Sequence, residues 1–101
     1  MKAVEIRITR NGGIIKPEEL PELLEAVGKV ILPAEGEAVV IGGRMPIWAY
    51  GALVHYYHPS RAVALFDPRL GGAVVVESHV EEYRVGQVIP VALEDFEVVE
   101  F

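Results

Sequence analysis

Apolar and polar residues alternate where the chain begins. Val4, Ile6 and Ile8 stand against Glu5, Arg7 and Thr9, the period of a strand with one buried face. Asn11-Gly12 follows. That dipeptide favours a type I′ turn, so Gly13–Ile15 is expected as a short return strand. The period then changes to that of a helix. Pro17 opens it, Glu18 and Glu19 occupy its first turn, and Leu20, Leu23, Leu24 and Val27 make one apolar face before Gly28 stops it. Lys29–Glu37, with Pro33 and Gly36, is a connection.

The stretch Ala38–His79 holds all three histidines and the only tryptophan. Ala38–Ile41 is a short apolar strand, and Gly42-Gly43-Arg44 leads to a helix from Pro46 to Tyr57 that Pro59 ends. Almost nothing in that helix is polar, so it should be covered on more than one side. The core would take one face and a second subunit the other. Ala62–Phe66 is a continuous apolar strand, Asp67–Gly72 a turn, Ala73–Val76 the returning strand, and Gln87–Leu93 a further strand before an acidic tail, Glu94–Glu100. The expected fold is α+β: one domain over residues 1–101, with two helices on one face of a mixed sheet. A βαβ core followed by a hairpin makes a ferredoxin-like layer without the βαββαβ order.

This order places the polar groups. Strand, helix and strand from Ala38 to Phe66 make parallel neighbours. Gly42, Gly43, Arg44, Asp67 and Arg69 therefore leave one rim, the carboxyl ends of the strands, where open α/β sheets bind ligands. The helix carries the chain roughly 18 Å away from that rim, so His58 lies at the other end, and the hairpin brings His79 there too. If the two groups act together, they come from different subunits stacked end to end.

Composition narrows the function. The net charge of −6 argues against a duplex-DNA or long-RNA binder, which must neutralise many phosphates. A small nucleotide in a local basic pocket remains compatible. With no cysteine there is no disulfide, thiolate nucleophile or zinc-thiolate site. No run of about 18 apolar residues suggests a membrane span, and the start lacks a signal-peptide core, so a cytoplasmic protein is expected. An apolar fraction of 51% is generous for 101 residues and suggests a homo-oligomer.

Each candidate residue has two readings. Gly42-Gly43-Arg44 before a helix offers N–H groups and a cation to a phosphate, or is a turn that needs glycine. Asp67-Pro68-Arg69 is an acid and a cation projecting from a strand end, or turn chemistry. His55 and His58 have a spacing suited to a metal, or His55 merely packs on the helix surface. His58 before Pro59 is exposed at the helix end and suits a general acid or base. His79 is either a solvated strand end or a ligand contact.

In the segments IGGRMPIW, HYYHPS and FDPRLGGAVVVESH, spanning Ala38–Pro90, the chain resembles the small type III CRISPR-associated proteins now regarded as cyclic-oligoadenylate ring nucleases. These were first described as manganese-dependent RNA-deadenylating exonucleases. The resemblance implies cleavage of cyclic tetra-adenylate between dimers stacked head to tail. By position, His58 matches the catalytic histidine, Asp67 and Arg69 the Asp-Pro-Arg pair, and His79 the histidine after the strand, near a metal. Gly42, Gly43 and Arg44 would seat phosphates. Manganese is the implied cofactor, and because hard cations prefer oxygen, Asp67 is its one strong ligand candidate, with His79. The alternatives are a non-catalytic sink or sensor for the same nucleotide, and a 3′ deadenylase of short RNA.

Overall fold

Val4 and Ile6 are fully buried, and Ala3 is buried on the opposite face of the same strand. The alternation at the start of the chain thus marks a strand covered on both sides. In the computed structural model, which describes residues 1–33 and 36–101, this strand is β1 (Lys2–Arg7), followed by α1 (Leu20–Val30), β2 (Ala38–Gly43), α2 (Ile47–Tyr56), β3 (Ala62–Asp67), β4 (Gly72–Ser78), β5 (Val88–Pro90) and β6 (Phe96–Glu100). They form one mixed six-stranded sheet in the order β5-β4-β3-β2-β1-β6. The α+β architecture is the one expected.

Strands β1, β2, β3 and β6 are mutually parallel, and β4 runs antiparallel to β3 and β5. Both helices pack on one face. Leu23 and Val27 of α1 and Ala49 and Leu53 of α2 share a core with Val4, Ile6, Val39, Ile41 and Val63. Tyr57, at the end of α2, is buried there and donates its hydroxyl to the Ile31 carbonyl at 2.6 Å. That bond satisfies a polar atom that burial would otherwise strand. The other face carries small residues, Ala3, Val40, Ala64, Ala73 and Val75. Because β5 and β6 lie at opposite edges, the chain between them crosses this face, and Phe96 meets Phe66 edge to face at 5.2 Å.

Several sequence expectations need correction. No return strand follows Asn11-Gly12. Asn11 does take the left-handed region at φ 53°, but it turns a short 3₁₀ segment, and both edges of β1 are already occupied by β2 and β6. Gly28 does not stop α1 but lies within it, buried, where an added side chain would collide with the Tyr56 ring. Pro46 caps α2 instead of opening it. The Gln87–Leu93 strand is three residues long and ends at Pro90, which has no N–H to extend the ladder. The acidic tail is an ordered strand: β6 pairs with β1, and Val99 and Phe101 enter the helix-side core. Within the Lys29–Glu37 connection, residues 34 and 35 lie outside the described residues.

The outer face of α2 is uncovered in the single chain, with Ile47 89% exposed and Trp48 partly so. Among the described residues no helix is long and apolar enough to cross a membrane.

Gly43 has φ 130°, and a Cβ there would collide with the Ile6 carbonyl of the neighbouring strand. Gly43→Ala is therefore expected to cost about 2–4 kcal/mol, since strained backbone and a forced strand shift add. Gly51, on the open side of α2, meets nothing. Gly51→Ala should be neutral or stabilising by up to about 1 kcal/mol. Urea denaturation of both variants checks the contrast.

Candidate functional site

Three polar side chains converge where α2 ends and β4 runs out. His58 follows α2, and the chain cannot stay helical before Pro59. Its Nδ1 lies 3.0 Å from Glu77 Oε1. His79 Nε2 lies 3.0 Å from the His58 carbonyl oxygen and 3.5 Å from the same Glu77 oxygen. The two imidazole rings stand nearly perpendicular with centroids 5.0 Å apart.

Glu77 reaches this cluster because of a β-bulge. Ala64 faces Val75 and Val63 faces Glu77, so Val76 is an extra residue on β4. Residues directly opposite each other share a sheet face. Val75 therefore lies with Ala64 on the face away from the helices, while Glu77 lies with Val63 on the helix side, beside His58. A regular strand would have put Val75 and Glu77 on the same face. The bulge re-aims the carboxylate, a recurrent use of bulges near functional sites.

The hydrogen bonds assign protons. A carboxylate and a carbonyl only accept. His58 Nδ1 therefore donates to Glu77, and in the neutral ring Nε2 carries the lone pair. His79 Nε2 donates to the His58 carbonyl. These rings also border a cavity of about 430 Å³ with Ser60 and Arg61. Arg61 Nη1 donates to Glu82 at 3.1 Å.

The opposite rim holds the other candidates. Asp67 closes β3, and its Oδ1 accepts the Arg69 backbone N–H at 2.9 Å, while the Arg69 guanidinium lies 3.4 Å from both carboxylate oxygens. Gly43 and Arg44 border a cavity of about 630 Å³ at the carboxyl ends of β1, β2 and β3. Gly42 is a packing position, because a side chain there would press on Phe66 and Phe96. Five residue steps of β3 separate Ala62 from Asp67, about 17 Å of strand. Asp67 and His79 thus stand at opposite ends of the sheet and do not share an ion within one chain. The acid that meets His79 is Glu77, a residue that the sequence alone did not single out. His55 is exposed on α2 and lies outside the His58–Glu77–His79 group.

The donor atoms of His58, Glu77 and His79 lie within 4.8 Å of one another. Two imidazoles and one carboxylate suit a divalent transition ion, manganese included, though with fewer oxygens than manganese favours. The residues fit the implied metal. Holding an ion through the nitrogens that face Glu77 would require each neutral ring to carry its proton on its other nitrogen, so the ion would displace the N–H hydrogen bonds seen there.

Arg69 holds the Asp67 carboxyl below the usual aspartate range, first through its side-chain hydrogen bonds and then through its backbone N–H. Because the folded value is depressed, this contact contributes at pH values above the unfolded one and is lost as acid carries the pH down through the folded value. Carboxyl NMR titration should place Asp67 below the usual range. Arg69→Ala should move it upward, and an unchanged midpoint would contradict the assigned contact.

With the geometry in place, comparison with known proteins gives a family. Over 51 residues the chain is 59% identical to a protein of Aquifex aeolicus (strain VF5) described only as an uncharacterized protein. That alignment covers 50% of this chain and 46% of the relative, so the match spans about half of each. Residues 8–90 match the family described as CRISPR-associated protein (Cas_csx3), which takes in much of the amino-terminal region as well as the central stretch. The chain belongs to this family of CRISPR-associated proteins.

Proposed function

We propose that the chain is a ring nuclease that opens cyclic tetra-adenylate at a site shared between stacked copies. One observation carries the reading. The acid–base group, His58 with Glu77, and the cation–carboxylate turn, Asp67 with Arg69, sit at opposite rims of one sheet. Each rim holds half of what phosphodiester cleavage needs, and end-to-end stacking unites the halves.

In this reading the 2′-hydroxyl of an adenylate attacks its own 3′-phosphorus. The O2′–P bond forms, the P–O5′ bond breaks, and the products are a 2′,3′-cyclic phosphate and a 5′-hydroxyl. His58 Nε2 takes the 2′-hydroxyl proton and the departing O5′ takes a proton from water, while Glu77 holds the ring in the tautomer that leaves Nε2 free, an orienting role like that of a triad acid. Arg69 from the neighbouring copy stabilises the charge on the phosphorane oxygens. Asp67 anchors the Arg69 turn. Gly43 and Arg44 receive a neighbouring phosphate.

A divalent ion at His58, Glu77 and His79 would supply Lewis-acid polarisation of a phosphoryl oxygen. It would also change what His58 can do. A ring that held it through Nδ1 would carry its proton on Nε2 and suit an acid, whereas the metal-free ring suits a base. Cleavage with and without manganese therefore distinguishes the two roles.

The apolar outer face of α2, with Ile47 and Trp48, is the surface this reading gives to a second copy within each dimer. The acidic overall charge, with Arg44 unpaired among the described residues at a rim where Glu5 pairs with Arg7 and Asp67 with Arg69, suits a small anionic ring better than a long polynucleotide.

The test incubates cyclic tetra-adenylate with the wild-type protein, with manganese or with EDTA, and resolves the products chromatographically. His58→Ala is expected to lose about 10²–10⁴-fold in rate, and Asp67→Ala and Arg69→Ala to fall sharply. An equal mixture of His58→Ala and Asp67→Ala should recover part of the activity, because some stacked pairs then contain one intact site. Bound but intact ring in every condition would make the protein a sink. Faster trimming of 3′-adenylated RNA than of the ring would make it a deadenylase. No binding of either would overturn the reading.

A further inference from the structure

The end of β4 takes hold of His58 at two points, and the proposed cleavage uses only one of them. Glu77 accepts a hydrogen bond from the ring, at Nδ1. His79 acts on the main chain instead, with its Nε2 3.0 Å from the His58 carbonyl oxygen. A carbonyl only accepts, so Nε2 is the donor. Among the described residues, the His58 carbonyl accepts no other hydrogen bond. The His79 backbone N–H meanwhile donates to the Arg61 carbonyl at 3.0 Å. One residue thus holds both ends of the turn His58–Arg61.

The turn has need of such a hold. Pro59 brings no N–H and keeps His58 out of the helix. The His58 N–H donates to the His55 carbonyl at 3.1 Å, and the Ser60 N–H to the Tyr57 carbonyl at 2.8 Å. Both bonds tie the turn to the end of α2, whereas the His79 ring ties His58 to the sheet. His79 is itself fixed from either side. Ser78 pairs with Ala62 of β3, and its Oγ donates to the Val80 carbonyl at 2.8 Å while accepting the Val80 N–H at 3.2 Å.

We infer that His79 is a positioning residue for His58, fixing the main chain below the ring so that the Glu77 bond aims Nε2 in one direction. A single hydrogen bond to Nδ1 sets the tautomer but lets the ring swing with its backbone. A second bond, from two residues further along the same strand end to the His58 carbonyl, removes that swing. The His58 and His79 side chains are 59% and 46% exposed, so water replaces the bond where it is lost. Its loss therefore bears on aim more than on stability. An ion held through His79 Nε2 would take the nitrogen that makes this bond, so the hold belongs to the metal-free cluster. The effect on rate rests on the cleavage proposed above, whereas the hold on His58 is a property of the turn alone.

The test compares wild type with His79→Ala and His79→Gln in EDTA. The glutamine amide N–H reaches about as far from Cα as imidazole Nε2 and can donate to the same carbonyl, but it cannot act as an acid or a base. Spectra of ¹⁵N-histidine-labelled protein, taken well above the ordinary imidazole pKa, read the tautomer of each ring. Wild type is expected to show His58 protonated on Nδ1 and His79 on Nε2. His79→Ala should send His58 to a mixture of both tautomers, and His79→Gln should return it to the Nδ1–H form. Urea midpoints should agree among the three proteins, which a merely structural role would not allow. For cleavage of cyclic tetra-adenylate, kcat should fall about 10- to 100-fold in His79→Ala with KM little changed, and His79→Gln should recover most of that loss. Glutamine as slow as alanine would make the imidazole itself the working group. An unchanged His58 tautomer in His79→Ala would mean that Glu77 suffices. Either result overturns the inference. A wild type that leaves cyclic tetra-adenylate intact in EDTA refutes metal-free cleavage, and the tautomers then decide the positioning role alone. Cleavage with an unresponsive His58 spectrum refutes the positioning role and leaves the nuclease.

Discussion

Parallel pairing of β1, β2 and β3 is the constraint from which the functional geometry follows. Parallel neighbours require a crossover, and each crossover here is a helix that carries the chain back along the sheet. Each of these three strands therefore releases its loop at the same rim. Ile8–Gly13, Gly43–Arg44 and Asp67–Gly71 crowd together there, while the far end of α2 leaves His58 at the other rim. The separation of the two polar groups is a consequence of chain direction, independent of any side-chain detail. It is also what makes a shared site the economical reading, because no rotamer change in one chain spans the length of a strand.

A second constraint acts at close range. The single extra residue at Val76 reverses which face the end of β4 presents. Without it, Glu77 would point with Val75 towards the face crossed by the chain between β5 and β6, and His58 would lose its hydrogen-bonding acid. One residue of register thus separates an imidazole of fixed tautomer from a solvated one. The cost is small, because the bulge sits near the end of the β3–β4 ladder, where β5 no longer pairs with β4.

The larger architecture was legible in the sequence for local reasons. The apolar runs Ala38–Ile41 and Ala62–Phe66, separated by a helix-length apolar segment between two prolines, admit few arrangements other than a parallel pair with a crossover. The opposite placement of His58 and Asp67 follows from that alone. What escaped was set by tertiary packing. Asn11-Gly12 carries the chemistry of a hairpin turn and does bend left-handed at Asn11, but the edge a hairpin would need is taken by β6, more than eighty residues later in the chain. The role of Gly28 as a seat for Tyr56 depends on how two helices meet. In the tail, the glutamates concealed a strand whose Val99, with Phe101 just beyond it, faces the core, although Phe96, Val98 and Val99 carried a β signal. Glu77 was hidden most deeply, since alternation along β4 assigns it to the wrong face and only the bulge corrects that.

The cluster at His58 also sets a limit on how its chemistry can be divided. Glu77 can orient a base or share a metal, and the proton on His58 Nδ1 decides between the two. With the proton present, the pair is a carboxylate–imidazole dyad whose Nε2 is free to accept. With the proton replaced by an ion, Nε2 becomes a donor, and the acceptor needed for a hydroxyl nucleophile must come from elsewhere. In His79, whose Nε2 donates to the His58 carbonyl, the accepting nitrogen of the neutral ring is Nδ1. Under the proposed function, cleavage with and without a metal at this rim would therefore be different reactions of the same three side chains, rather than faster and slower versions of one.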